Sequence, residues 1–136
     1  MSATPGPALC VLRFEEIEWD RPLEAADPGL RPPEALVRAA EQQGARRKRL
    51  VRGEGGFHMN RSRLPPGFRI PPHSHDHDEL LVVIRGGCRI DGEGTELRAD
   101  DAVVIRAQHR YGFTCGPEGM DFLTIRTGEA RVRMEE

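Results

Sequence analysis

Three histidines and a glutamate fall within seven residues of this chain, as His73, His75, His77 and Glu79. Neutral imidazole and carboxylate are the side chains that suit a borderline divalent ion such as iron, manganese, nickel, zinc or copper. A strand rises about 3.3 Å per residue and sends residues i and i+2 to the same face, so His73 and His75 can hold one ion from a single strand. On a straight strand Glu79 would lie about 20 Å from His73, so the chain has to turn between them. Asp76-His77-Asp78 has the composition of a turn, and Leu80 to Ile84 reads as the next, buried strand. Two strands would then supply two imidazoles and one carboxylate, leaving positions on the ion for water, oxygen or substrate.

The same residues carry a resemblance to a known family. Gly67, His73, His75, Glu79 and Gly86 are spaced as glycine, five residues, His-x-His, three residues, glutamate, six residues, glycine. This resembles the first motif of the cupin superfamily. The second cupin motif, Gly-Asp, Pro-x-Gly, two residues and His, is similar to the run from Asp100 to Phe113. Asp100 stands where the first glycine is usual, Arg106 where the proline is and Gln108 where the second glycine is. Aligned without a gap, the histidine position holds Tyr111, and His109 comes two residues early.

The resemblance implies one divalent transition metal ion per chain, held by His73, His75, Glu79 and a fourth ligand. His109 is taken as that ligand and Tyr111 as the alternative. The two would share a face of an extended segment, and a phenolate can bind a ferric centre. A three-ligand site with either residue close behind it is also open. The implied function is a metal-dependent enzyme, foremost a mononuclear non-heme dioxygenase or related oxidoreductase on a small organic substrate. The alternatives are a metal-assisted isomerase or lyase, a non-catalytic barrel that binds a metal or small ligand, and a structural barrel with a decayed site. Arg61, Arg63, Arg69 and Arg106, if they point inward, could clamp a substrate carboxylate in a bidentate fork, with Tyr111 and Phe113 beside them. An apolar lining is expected from Phe57, Met59, Ile70, Leu81, Val83, Val104, Phe113 and Phe122.

The elements that must position these groups read as short strands punctuated by glycine: Arg49 to Arg52, Gly55 to Leu64, the stretch around His73, Leu80 to Ile84, Cys88 to Asp91, Thr95 to Arg98, Val103 to Arg106, His109 to Cys115, Met120 to Arg126 and Ala130 to Met134. Such a series argues for an all-β barrel or sandwich. The resemblance sharpens this to a single-domain jelly-roll β-barrel over about residues 50–128. An N-terminal arm, 1–49, precedes it, with a strand at Cys10 to Phe14 and one short helix near 33–43, stopped by Gly44. Residues 129–136 form a C-terminal strand or tail. Arg46-Arg47-Lys48-Arg49 reads as a solvated cluster just past the helix, His77 as a solvated turn residue and His58 as a polar-face residue.

At 136 residues one domain is expected. A net charge of −2 with no basic half gives nothing to attract nucleic acid or an anionic membrane. The first residues lack the charged start and apolar core of a signal peptide, and no apolar run approaches a membrane span, so a soluble, cytoplasmic protein is expected. Cys10, Cys88 and Cys115 are odd in number and far apart, which suggests neither a disulfide framework nor a cysteine zinc site. A small-molecule ligand is the expected partner, and the resemblance also implies a homodimer.

Overall fold

A computed structural model of the chain describes residues 8–20, 38, 42, 44–128 and 132–134. Its strands are β1 (Arg46–Arg52), β2 (His58–Leu64), β3 (Arg69–His75), β4 (Glu79–Ile90), β5 (Glu96–Arg98), β6 (Ala102–Ile105), β7 (Tyr111–Arg126) and β8 (Val132–Met134). All pairings are antiparallel, in the order β1-β2-β7-β3-β8, with β4 joining β5, β6 and β7. The expectation of an all-β fold holds. The helix expected near 33–43 lies outside the described residues, apart from Arg38 and Gln42, which are helical.

The architecture turns on β7. Its first half pairs with β3, its second half with β2, and β4 runs along both. A straight strand from residue 111 to residue 126 would span about 50 Å. Instead β7 bends between its halves, and the side chains of its first and last residues, Tyr111 and Arg126, reach the same carboxylate, Glu79. Sequence reasoning divides this segment into two strands at Gly116-Pro117-Glu118-Gly119; the chain keeps pairing through them.

The same correction applies to β4, which runs through Gly86 and Gly87 where a break is expected. Gly86 has φ +69°, and a Cβ there would strike the carbonyl oxygen of Gly119. These glycines therefore permit a close crossing of two backbones rather than ending a strand. Register shifts by one residue at Ile84, between Val83 and Arg85. Before the shift Glu79, Leu81 and Val83 face inward; after it Cys88 does, so the bulge resets which parity meets the core.

That core comprises Phe68, Leu81, Val83, Cys88, Leu97, Ile105, Tyr111, Phe113, Cys115, Met120 and Phe122. Of the expected lining, Leu81, Val83, Phe113 and Phe122 are buried and Ile70 packs against them. Phe57 and Val104, by contrast, are 56% and 63% exposed. Phe57 precedes β2 as the cap of a 3-10 turn, and Val104 takes the outward parity of β6, because Ile105 takes the inward one.

The arm corrects two further expectations. Residues 10–13 are irregular and Phe14–Glu16 is a 3-10 turn, so the strand expected at Cys10 to Phe14 does not form. The basic run belongs to β1, and Lys48 is buried rather than solvated. Its Nζ donates to the Phe14 carbonyl at 2.8 Å and lies 3.8 Å from the Phe14 ring centre and 4.8 Å from that of Trp19. This desolvated cation held over aromatic faces fastens the arm to the sheet.

Candidate functional site

β3 carries His73, Ser74 and His75 at its end, and all three are buried. Pro71 and Pro72 lie in a bulge of the β3–β7 pairing, where missing N–H groups cost no ladder bond. The Pro71 carbonyl lies 3.0 Å from His73 Nδ1. A carbonyl only accepts, so Nδ1 carries the proton and the neutral ring keeps its lone pair on Nε2. The turn at 76–78 brings Glu79 back at the head of β4, as the residue types indicate. β3 and β4 are not hydrogen-bonded neighbours, however; each pairs with β7, which carries Tyr111 and Arg126 to the cluster.

Glu79 is 2% exposed and fully engaged. Arg126 donates to Oε2 from Nη2 at 2.7 Å and from Nε at 2.9 Å. His75 Nε2 lies 3.3 Å from the same oxygen, and the Tyr111 hydroxyl donates to Oε1 at 3.3 Å. The His73 ring stands edge-on to His75 at 5.0 Å and 4.6 Å from the Tyr111 ring. Phe113 stacks under Tyr111 at 6.3 Å and meets Phe122 edge-on, forming an aromatic floor. His75 Nδ1 is buried with no hydrogen-bond partner, the one such side-chain atom among the described residues.

Burial sets the protonation states. Desolvation lowers the pKa of His73, and lowers that of His75 from 6.5 to about 4 against the pull of Glu79. Both rings are therefore neutral at physiological pH. Burial, reinforced by Glu79, raises Tyr111 well above 10, so in the ion-free protein it is a phenol and a hydrogen-bond donor.

The other expected site residues lie elsewhere. His109 is exposed on the turn after β6, and its backbone N–H bonds to Arg106. His109 is thus not brought to the cluster, whereas Tyr111, at Cα register with His73, faces it. Arg69 pairs with Asp91 and Arg106 with Asp78, both exposed. Arg63 pairs with Asp121 at 3.1 Å, and Arg61 leans on the same Asp121 at 3.8 Å and on the Phe14 ring. None of these four is bonded to Glu79. His77 bonds Asp76 in the exposed turn, as its composition suggests. Among the described residues the arginine that reaches Glu79 is Arg126, which sequence reasoning misses. Its signal is parity, since Phe122 and Thr124 are buried and Arg126 follows in phase. A cavity of about 420 Å³ lies apart from the cluster, lined by Gly86, Gly87, Cys88, Leu97 and Cys115 among others.

Residues 60–126 match the family described as Cupin domain. Those residues are a cupin domain. The fold agrees with this. The polyketide cyclase RemF from Streptomyces resistomycificus superposes with a TM-score of 0.67 at 19% identity, covering 94% of this chain and 86% of that one. KdgF from Halomonas sp. gives 0.62 at 18% identity, covering 89% and 96%. A variant of Bacillus subtilis oxalate decarboxylase gives 0.56 at 19% identity, covering 64% of this chain and 26% of that one. No curated protein sequence matches. At these identities the likeness is one of fold.

Cupins often bind metals, and the donor chemistry here fits a divalent ion: two imidazoles held neutral, an unpartnered buried ring nitrogen and a carboxylate. The arrangement differs from a ligand set. Among the described residues no three His, Cys, Asp or Glu side chains are grouped as an ion would require. Glu79 is turned over to Arg126. Among the described residues no helix is long and apolar enough to cross a membrane.

Proposed function

We propose that this cupin is a metal-dependent enzyme acting on a small organic molecule, an oxygenase or related oxidoreductase. The observation that carries the reading is the burial of His73 and His75, which keeps both rings neutral beside Glu79 while Tyr111 remains a phenol. His73, His75 and Glu79 would hold the ion, because two imidazoles and one carboxylate leave coordination positions free. Such an ion supplies Lewis-acid and redox chemistry. The chain's own part is to bind and orient the substrate. Tyr111 would orient Glu79 through the O–H that it donates to Oε1, and the floor of Phe113 and Phe122 excludes water around it.

A second reading, a small-ligand-binding cupin without catalysis, draws support from Arg126, which balances the charge of Glu79 with no ion at all. The test is to load the tag-free protein separately with iron(II), manganese, nickel, zinc and copper and offer catecholic, enolisable and dicarboxylic compounds in an oxygen electrode. The enzyme reading expects oxygen uptake matched to product, abolished in His73→Ala. In Tyr111→Phe, which keeps the ion, turnover should fall on the order of tenfold to a hundredfold. Turnover without oxygen uptake would move the assignment to a metal-assisted isomerase or lyase. Binding without turnover would leave a ligand-binding barrel.

A further inference from the structure

The side chain of Arg126 is 14% exposed and gives two donors to one oxygen of Glu79, the oxygen that also faces His75 Nε2 at 3.3 Å. A cation held jointly by His75 Nε2 and Glu79 Oε2 would have to enter this same space. Two positive groups on one carboxylate oxygen repel strongly in a site that water barely reaches, so they exclude each other. Oε2 already accepts both guanidinium donors, while Oε1 accepts one hydrogen bond from Tyr111 and keeps a further lone pair, so the competition is for Oε2.

We propose that Arg126 is a built-in competitor for the cation, so that the guanidinium and a divalent ion are alternative partners of Glu79. The inference rests on the reading of this cluster as an ion site and adds the residue that governs its occupancy. Without the ion, Arg126 satisfies Glu79 and the barrel is complete. With it, the guanidinium must leave, and every ion pays that displacement. The chain thus binds divalent ions more weakly than its donors alone would allow, and metal content follows the ion concentration offered. By reciprocity, whatever draws Arg126 away from Glu79 tightens the ion by the same factor.

The experiment is calorimetric titration of zinc(II), and in parallel manganese(II), into the tag-free wild type, Arg126→Gln, Arg126→Lys and Arg126→Gln with His73→Ala. The expected result is one equivalent bound at least about tenfold more tightly by Arg126→Gln than by the wild type. Arg126→Lys should fall between, because an ammonium competes without the fork. The added His73→Ala should abolish the gain. Equal or weaker binding by a folded Arg126→Gln overturns the competition while leaving the ion site standing. No binding by any of these proteins overturns both the competition and the metal reading. Tighter binding with no turnover on any substrate upholds the competition and counts against the enzyme.

Loss of Glu79's partner could unfold Arg126→Gln, and the wild type then supplies a second measurement. The Arg126 Nε–H resonance, assigned by its disappearance in Arg126→Lys, should shift and exchange with water as zinc(II) saturates the site. A resonance unmoved at one bound equivalent overturns the proposal.

Discussion

Tyr111 stands where a histidine is usual in the second motif, and the backbone explains why the altered motif still works as a frame. Asp100 and Gln108 occupy the two positions where glycine is usual, and both keep left-handed φ, +76° and +68°. The main chain therefore turns at both positions although neither residue is glycine, and it carries Tyr111 to Glu79. No residue type could announce this, since a left-handed Gln is uncommon enough to read as absence of the turn. His73, His75 and Glu79 were legible because two-residue spacing on a strand and a polar turn fix their meeting. Arg126 was hidden among many arginines and emerges only once parity is known. The buried imidazoles carry a pH prediction for the ion-free protein. His75 titrates at about 4 in the fold and near 6.5 when unfolded, so between those values the unfolded chain binds the extra proton. Its stabilisation is therefore full above pH 6.5 and lost as pH falls toward 4, by roughly 3 kcal/mol, and His73 acts in the same direction. Urea unfolding should show the wild type losing stability more steeply than His75→Asn between pH 6.5 and 4.5. Parallel slopes would refute this.

At the scale of elements, the strands around the cluster were readable from alternation and glycine punctuation, but their continuity was not. β4 and β7 each run through glycines that sequence reasoning takes for stops. The missing information is tertiary: a Cβ on Gly86 would strike the Gly119 carbonyl and a Cβ on Gly119 the Leu64 carbonyl, and such close approaches leave no periodic trace along either strand. Gly86→Ala should therefore cost at least roughly 2 kcal/mol, from the strained φ together with the obstruction by Gly119. Gly92→Ala is the control. It has φ +84° but open space around its Cβ, and should cost only about 1 kcal/mol. Equal losses in thermal melts of the two variants would show that the crossing is looser than described. The basic run misled for the same kind of reason. Four cations in sequence look solvated, yet alternation along β1 turns Lys48 inward onto Phe14 and Trp19.

For the whole molecule, the all-β class followed from the number and spacing of strands, whereas the joining of both halves of the barrel through one bent strand did not. The thiols report on the finished fold. Cys88 and Cys115 are directly opposed across β4 and β7 and buried, and desolvation raises them to about 11 and about 12. Cys10 is exposed. Of the three cysteines in the chain, only Cys10 should react promptly with Ellman's reagent in the native protein, and all three should react in denaturant. Prompt release of more than one equivalent from the native protein would contradict the closed core. The bent strand also imposes an order on biosynthesis. β3 and β4 each pair with β7 and not with each other, so His73 and His75 meet Glu79 only once β7 is in place. Arg126 ends that strand, 47 residues after Glu79. The carboxylate therefore waits for the strand that seats it, and the arginine arrives on the same strand that closes the cluster.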